Sequence, residues 1–200
     1  MKVELLHVSG RDLDIAQYAR ISHGHLNKYS DEDNKKLLRK LFRLGHHEPF
    51  EFLNMIFRVE CSIVAERQLL RHRVGISKVE RSLRYVKLQD AGNFYIPLEL
   101  SKETQERVKQ FYEKAFKLYK ELLNETSAQL ARYVLPLGTN TIMHIQFNAR
   151  SLYHFLELRL QEHVQPETRE LAKALLEALA QKEETKNLYE LYSEKFLKEG

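Results

Sequence analysis

The sequence predicts an α+β fold, a small antiparallel sheet packed with long helices, in a single domain over residues 1–200. Three observations predict it. Seven Gly and four Pro punctuate the whole chain, so its elements should be long and mostly helical. The first half holds short runs that alternate apolar and polar residues at strand spacing. After Pro97 the apolar positions turn to helical spacing and stay there. No internal repeat or composition shift marks a second domain.

In chain order, residues 2–8 read as a short strand and residues 12–21 as a helix. Over residues 33–44, Leu37, Leu38, Leu41, Phe42 and Leu44 fall on one side at helical spacing, and Gly45 stops that helix. Residues 51–61 alternate Phe52, Asn54, Ile56 and Arg58 with Leu53, Met55, Phe57 and Val59, which predicts a strand. Residues 62–72 predict a helix with Ser62 as its N-cap. Residues 74–82 are polar with one Gly and predict a loop, and residues 83–88 and 93–97 predict two further strands. Ser101 opens an amphipathic helix over residues 102–124. Thr126 or Ser127 caps another that ends before Pro136. Residues 139–161 predict a third helix, and residues 166–198 one or two more.

Lys plus Arg is 32 and Asp plus Glu is 28, a net charge of +4 spread along the chain. That balance alone does not imply nucleic acid. The single cysteine, Cys61, excludes an intrachain disulfide and makes a reducing cytoplasm the expected compartment. The first residues lack the apolar core of a signal peptide, and no stretch approaches the ~20 apolar residues of a membrane span. A cytoplasmic protein without a membrane partner or a metal site is expected.

Charge is uneven over residues 67–84, where Arg67, Arg71, Arg73, Lys78, Arg81 and Arg84 face Glu80 alone. Guanidinium groups, hydroxyls and backbone N–H groups in a turn make a strong anion site. Arg71 and Arg73 diverge on a helix, so they could serve two anions, or one anion and a redox ring. On the loop alone, a solvated basic face is the ordinary reading, and an RNA-binding patch is a further one.

Later in the chain, Asn148, Leu152, Phe155 and Arg159 share one helix face, and Arg150, His154, Glu157 and Gln161 share the next. An apolar stripe with Asn and Arg at its ends would bed a flat ring and hold its polar rim. The same Leu and Phe serve equally as core.

The run RHR, Arg71 to Arg73, followed by S-x-R-Y at Ser82 to Tyr85, resembles the signature of flavin-dependent thymidylate synthases. The spacer here is eight residues, Val74 to Arg81, one longer than usual in that family. The extra residue falls near Val74–Ile76. Further blocks follow the same order. ARISH at residues 19–23 resembles ARVSF, with Ser22 matching. GHHEPFEF at residues 45–52 resembles GHxSPFEH, with His47-Glu48 altered and Phe52 in place of a frequent His. LARYVLPLGTNT supplies Arg132, and FNARSLYHFLELR resembles NxRSLxxFLxLR. The resemblance covers about residues 15–180.

The resemblance implies reductive methylation of dUMP to dTMP, with methylenetetrahydrofolate supplying the carbon and NADPH reducing FAD. It implies that Gln68, Arg71, Glu80, Ser82, Arg84, Arg132 and Arg159 hold dUMP. Arg84 and Arg132 would suit its phosphate. Arg159 would polarise the pyrimidine and Ser82 would lie near the reacting ring, making these two the candidate catalytic residues. Ser22, His46, Glu48, Glu51, Arg71, His72, Arg73, Glu80, Asn148, Arg150 and His154 would border FAD. The family's homotetramer, with active sites shared between subunits, is expected here. Cys61 lies in an apolar run and reads as a buried hydrophobe, not as the Cys nucleophile of the other kind of thymidylate synthase. Gln129, where some members carry Glu, also permits a divergent paralogue that binds FAD and a pyrimidine nucleotide but transfers a hydroxymethyl group or has lost turnover. A basic nucleic-acid-binding protein and a structural oligomer built on the C-terminal helices are the readings from other classes.

Overall fold

The computed structural model describes residues 1–24, 27–89 and 94–197. Its centre is one antiparallel sheet. The elements in chain order are β1 (Lys2–Val8), α1 (Asp14–Ala19), α2 (Asp31–Arg43), β2 (Asn54–Ser62), α3 (Ile63–Leu69) and β3 (Ile76–Glu80). There follow α4 (Lys102–Glu125), α5 (Ala128–Ala131), β4 (Asn140–Asn148), α6 (Ala149–Arg159), α7 (Pro166–Ala178) and α8 (Lys186–Leu197). The strand order is β1-β2-β4-β3. The α+β expectation is met, and the sheet draws β4, one of its two inner strands, from the second half of the chain.

Period-two alternation sets the layers. Met55, Phe57, Val59 and Cys61 of β2 are buried beside Thr141, Met143, Ile145 and Phe147 of β4. Helices α3, α6 and α7 cover that face, and Leu152, Phe155, Leu156, Leu171, Leu175 and Leu176 fill it. The alternate positions, among them Arg58 and His144, face outward. A second cluster, Leu88, Phe116, Tyr119 and Ala131, fastens α4 and α5 to the chain that follows β3.

The helix expected over residues 139–161 is β4 followed by α6. The apolar pattern of α6 runs on at helical spacing for only a few residues upstream. Before Asn148 the burial alternates by twos, and Thr141, Ile142 and Ile145 are β-branched, which suits a strand. Asn148 makes the junction, because its side chain accepts from Ser151 N at 2.7 Å and caps α6.

Residues 74–82 are not all loop, since residues 76–80 form the edge strand β3 against β4. Its inward residues Lys78 and Glu80 are polar, so it lacks the usual apolar signal. Residues 83–88 are not a strand: Tyr85 N and Val86 N both donate to Ser82 O and turn the chain. Of the strand expected at residues 93–97, residue 93 lies outside the described residues, and Phe94 forms one isolated bridge with Thr139. Between Gly45 and β2, residues Glu48–Phe52 form a 3₁₀ turn, so the strand begins three residues later than its apolar pattern. The helix after Ser127 shortens to α5 plus a 3₁₀ turn at Arg132–Val134. Helix α2 ends as expected, with Gly45 at φ +73°. Ser62 and Ser101 cap α3 and α4 by accepting from Ala65 N and Thr104 N.

Candidate active site

Helix α3 ends at Leu69, and the chain carries Arg71, His72 and Arg73 out along the flank of α6. The two segments face each other across a cleft of about 360 Å³ lined by Arg71, His72, Arg73, Val74, Ile76, Ser151, His154, Leu158 and Arg159. Among the described residues, three guanidinium groups and no carboxylate line it, which favours an anion or an electron-rich ring. A second cleft of about 530 Å³ adjoins it, sharing Val74, Ser151 and His154. Glu51, Asn148, Arg150 and Glu157 bring polar groups of both signs there.

The lip between the clefts is pinned by backbone. Gly75 O accepts from Asn148 N at 3.1 Å and from Ser151 Oγ at 2.9 Å. Gly75 has φ +69°, and a Cβ there would collide with the Asn148 side chain. Residues Val74–Ile76, where the resemblance puts the extra residue of the spacer, are thus docked through Gly75 on the N-terminus of α6.

Arg159 is held from two sides. Its Nε donates to His72 Nε2 at 3.2 Å, and a terminal nitrogen donates to Gln68 O at 3.4 Å. Burial, then Arg159, then His154 push the His72 pKa down to about 4. His72 is thus neutral near pH 7, and its Nε2 can accept. The ring stands edge-on to Phe155, 4.9 Å between centroids, and Phe155 is fully buried. The apolar stripe of α6 is accordingly core first, and it fixes the histidine that fixes the arginine. Burial, then Arg71, lowers the Arg159 pKa from its usual value.

A second group of expected residues gathers beyond β3. Ser82 Oγ accepts from Arg84 N at 3.3 Å, and Arg84 Nε donates to Gln129 Oε1 at 3.0 Å. Gln129 lies in α5, three residues before Arg132, which begins the 3₁₀ turn that follows. A Gln at position 129 thus supplies the acceptor a Glu would. Glu80 Oε1 accepts from Thr141 Oγ1 at 2.7 Å.

Of the other expected residues, Glu51, Asn148 and Arg150 line the second cleft and the rest stand apart. Arg150 pairs with Glu51 at 2.7 Å. Asn148 spends its carbonyl on the α6 cap. His46 and Glu48 are exposed and line neither cleft, whereas His47 lines the second. Ser22 lies in the 3₁₀ turn Arg20–His23, where its Oγ donates to Ala19 O at 2.9 Å. Cys61 is buried under the sheet, its thiol pushed up to about 12 by burial and then Glu167. Residues of the cleft that the sequence reading did not assign to the site include Ser151 and Leu158.

A family model described as thymidylate synthase complementing protein matches residues 4–183. The flavin-dependent thymidylate synthase of Pseudothermotoga lettingae is 38% identical, over 86% of this chain and 82% of that protein. That of Pyrococcus abyssi is 32% identical, over 92% and 81%. Among solved structures, the UMP/dUMP methylase PolB from Streptomyces cacaoi, bound with 5-Br dUMP, matches with a TM-score of 0.80 at 29% identity, over 96% of this chain and 94% of that one. Model and relatives agree over most of the length, and this chain belongs to the thymidylate synthase complementing protein family, in which those relatives are named flavin-dependent thymidylate synthases.

Proposed function

We propose that this chain is a flavin-dependent thymidylate synthase, converting dUMP to dTMP with FAD as cofactor and methylenetetrahydrofolate and NADPH as co-substrates. The observation that carries the reading is the cation-lined cleft in which Arg159 is held by a neutral His72 opposite Arg71 and Arg73. The residues present fit a flavin: Arg71, His72, Arg73, Asn148, Arg150 and His154 line the two adjoining clefts, with Glu51 in the second. The bound flavin would supply the hydride. Ser22, His46 and Glu48 belong to this reading only as residues that reach the ring of a neighbouring chain.

The protein's own part is to bind, orient and polarise. Arg84, bonded to Gln129 of α5, and Arg132, three residues on, would suit the nucleotide phosphate. Glu80 and Gln68 would accept from and position the sugar and ring, beside Ser82. Arg159 would stabilise negative charge developing on the pyrimidine oxygens. Neither Arg84 nor Arg132 lines the arginine cleft of its own chain. A homotetramer with shared sites belongs to this reading, since a second copy could bring one group to the other. The cytoplasm, which holds these reduced co-substrates, is the proposed compartment.

Turnover tests the reading. Purified protein with FAD, dUMP, methylenetetrahydrofolate and NADPH should form dTMP, and Arg159→Ala should lose that product while keeping its flavin. Loss of flavin with nucleotide binding intact would contradict the role given to Arg159.

A further inference from the structure

Beneath Glu80 lies a charged cluster that the roles above leave unused. Lys78 and Glu80 are two apart on β3, so both point to one face of the sheet. It is the helix-covered face, because their register partners Ile145 and Met143 are buried. Helix α3 lowers Glu66 into the same space, where it is 5% exposed. Lys78 Nζ donates to Glu66 Oε1 at 2.7 Å and to Glu80 Oε2 at 3.4 Å. Thr141 holds the other oxygen of Glu80.

A carboxylate buried like Glu66 requires a cation, and the short contact to Lys78 meets that need alone. The reach to Glu80 is a separate matter. On an edge strand, an unanchored Glu side chain samples several rotamers, and each must be frozen when a ligand binds. Two donors from below remove that freedom and leave the remaining lone pairs of Glu80 open.

We infer that Lys78 is a positioning residue for nucleotide recognition, locking the Glu80 carboxylate with Thr141 so that it meets the donor groups of a pyrimidine nucleotide preorganised. The inference rests on the proposed role of Glu80. Two carboxylates against one ammonium leave the trio with a net negative charge. It therefore suits a sugar hydroxyl or ring N–H and disfavours the phosphate, which falls to Arg84 and Arg132.

The test measures kcat and KM for dUMP, with melting temperature, on the FAD-loaded enzyme. Lys78→Met should raise KM roughly tenfold, the loss of one charge-assisted contact, with kcat within about twofold. Thr141→Val, which leaves Glu66 paired, should raise KM similarly. The double variant Glu66→Gln/Lys78→Met, which no longer buries an unpaired carboxylate, should recover melting temperature but keep the high KM. Recovery of KM in that double variant would reduce Lys78 to a counter-ion for Glu66 and overturn the inference. Unchanged KM in both single variants, with wild-type enzyme that binds dUMP, would overturn it while sparing the proposed function. Wild-type enzyme that binds no dUMP would overturn both.

Discussion

Replacing His72 by Phe separates the histidine's ring from its acceptor. The ring that packs edge-on to Phe155 remains, and the nitrogen that accepts from Arg159 Nε at 3.2 Å is gone. A hydrogen bond to a charged group contributes about 1.5–3 kcal/mol, and the half-buried guanidinium would lose one of its two fixed partners. In kinetic terms that is about a ten- to hundredfold fall in kcat/KM for dUMP. The pH dependence carries the sharper test. An ordinary imidazole is about half protonated at pH 6.5, whereas His72, with its pKa near 4, is neutral there. Wild-type dUMP binding should show no His72 step near pH 6.5, and should fail as pH falls through about 4, when both ring nitrogens become donors facing Arg159. The folded pKa lies below the unfolded one, so His72 adds stability above about pH 6.5 that is lost as pH falls toward 4. The assay is a dUMP titration at half-unit pH steps, on both proteins. A wild-type step near pH 6.5 that vanishes in His72→Phe would refute the neutral-acceptor argument, and so would a variant whose kcat/KM stays within about twofold of wild type.

Two other outcomes follow from the same geometry. Gly75→Ala places a Cβ against Asn148 at a left-handed φ, and should cost about 1–3 kcal/mol, lower the melting temperature by several degrees, and weaken flavin binding at the lip between the clefts. Cys61, its thiol near pKa 12 and buried, should resist a thiol reagent at pH 8 in the folded protein and react on unfolding; rapid modification of the native state would contradict its place under the sheet.

Helices α2 and α4 were legible because their apolar faces repeat over three or more turns and Ser or Gly marks their ends. Strand β4 was not, because it runs without a break into α6, and Asn148 reads as a helical polar position until its capping bond is seen. Strand β3 was hidden by its own chemistry, since an edge strand carrying Lys78 and Glu80 inward has no apolar alternation. For the site, local motifs placed Arg71, His72 and Arg73 and the face of α6 in one cleft. Side chains do not announce long-range partners, so the bonds from Arg159 to His72 and from Lys78 to Glu66, 87 and 12 residues apart, could not be read from spacing. His46 and Ser22 show the converse, because motif position brought them into the site while one chain's geometry leaves them outside its clefts.

The central claim is that one site holds a flavin and a pyrimidine nucleotide together. The most direct measurement is the visible absorption spectrum of the purified protein with added FAD, followed through a dUMP titration. Bound flavin whose peaks shift saturably with dUMP is the predicted result. No flavin binding, or flavin peaks indifferent to saturating dUMP, would contradict the account.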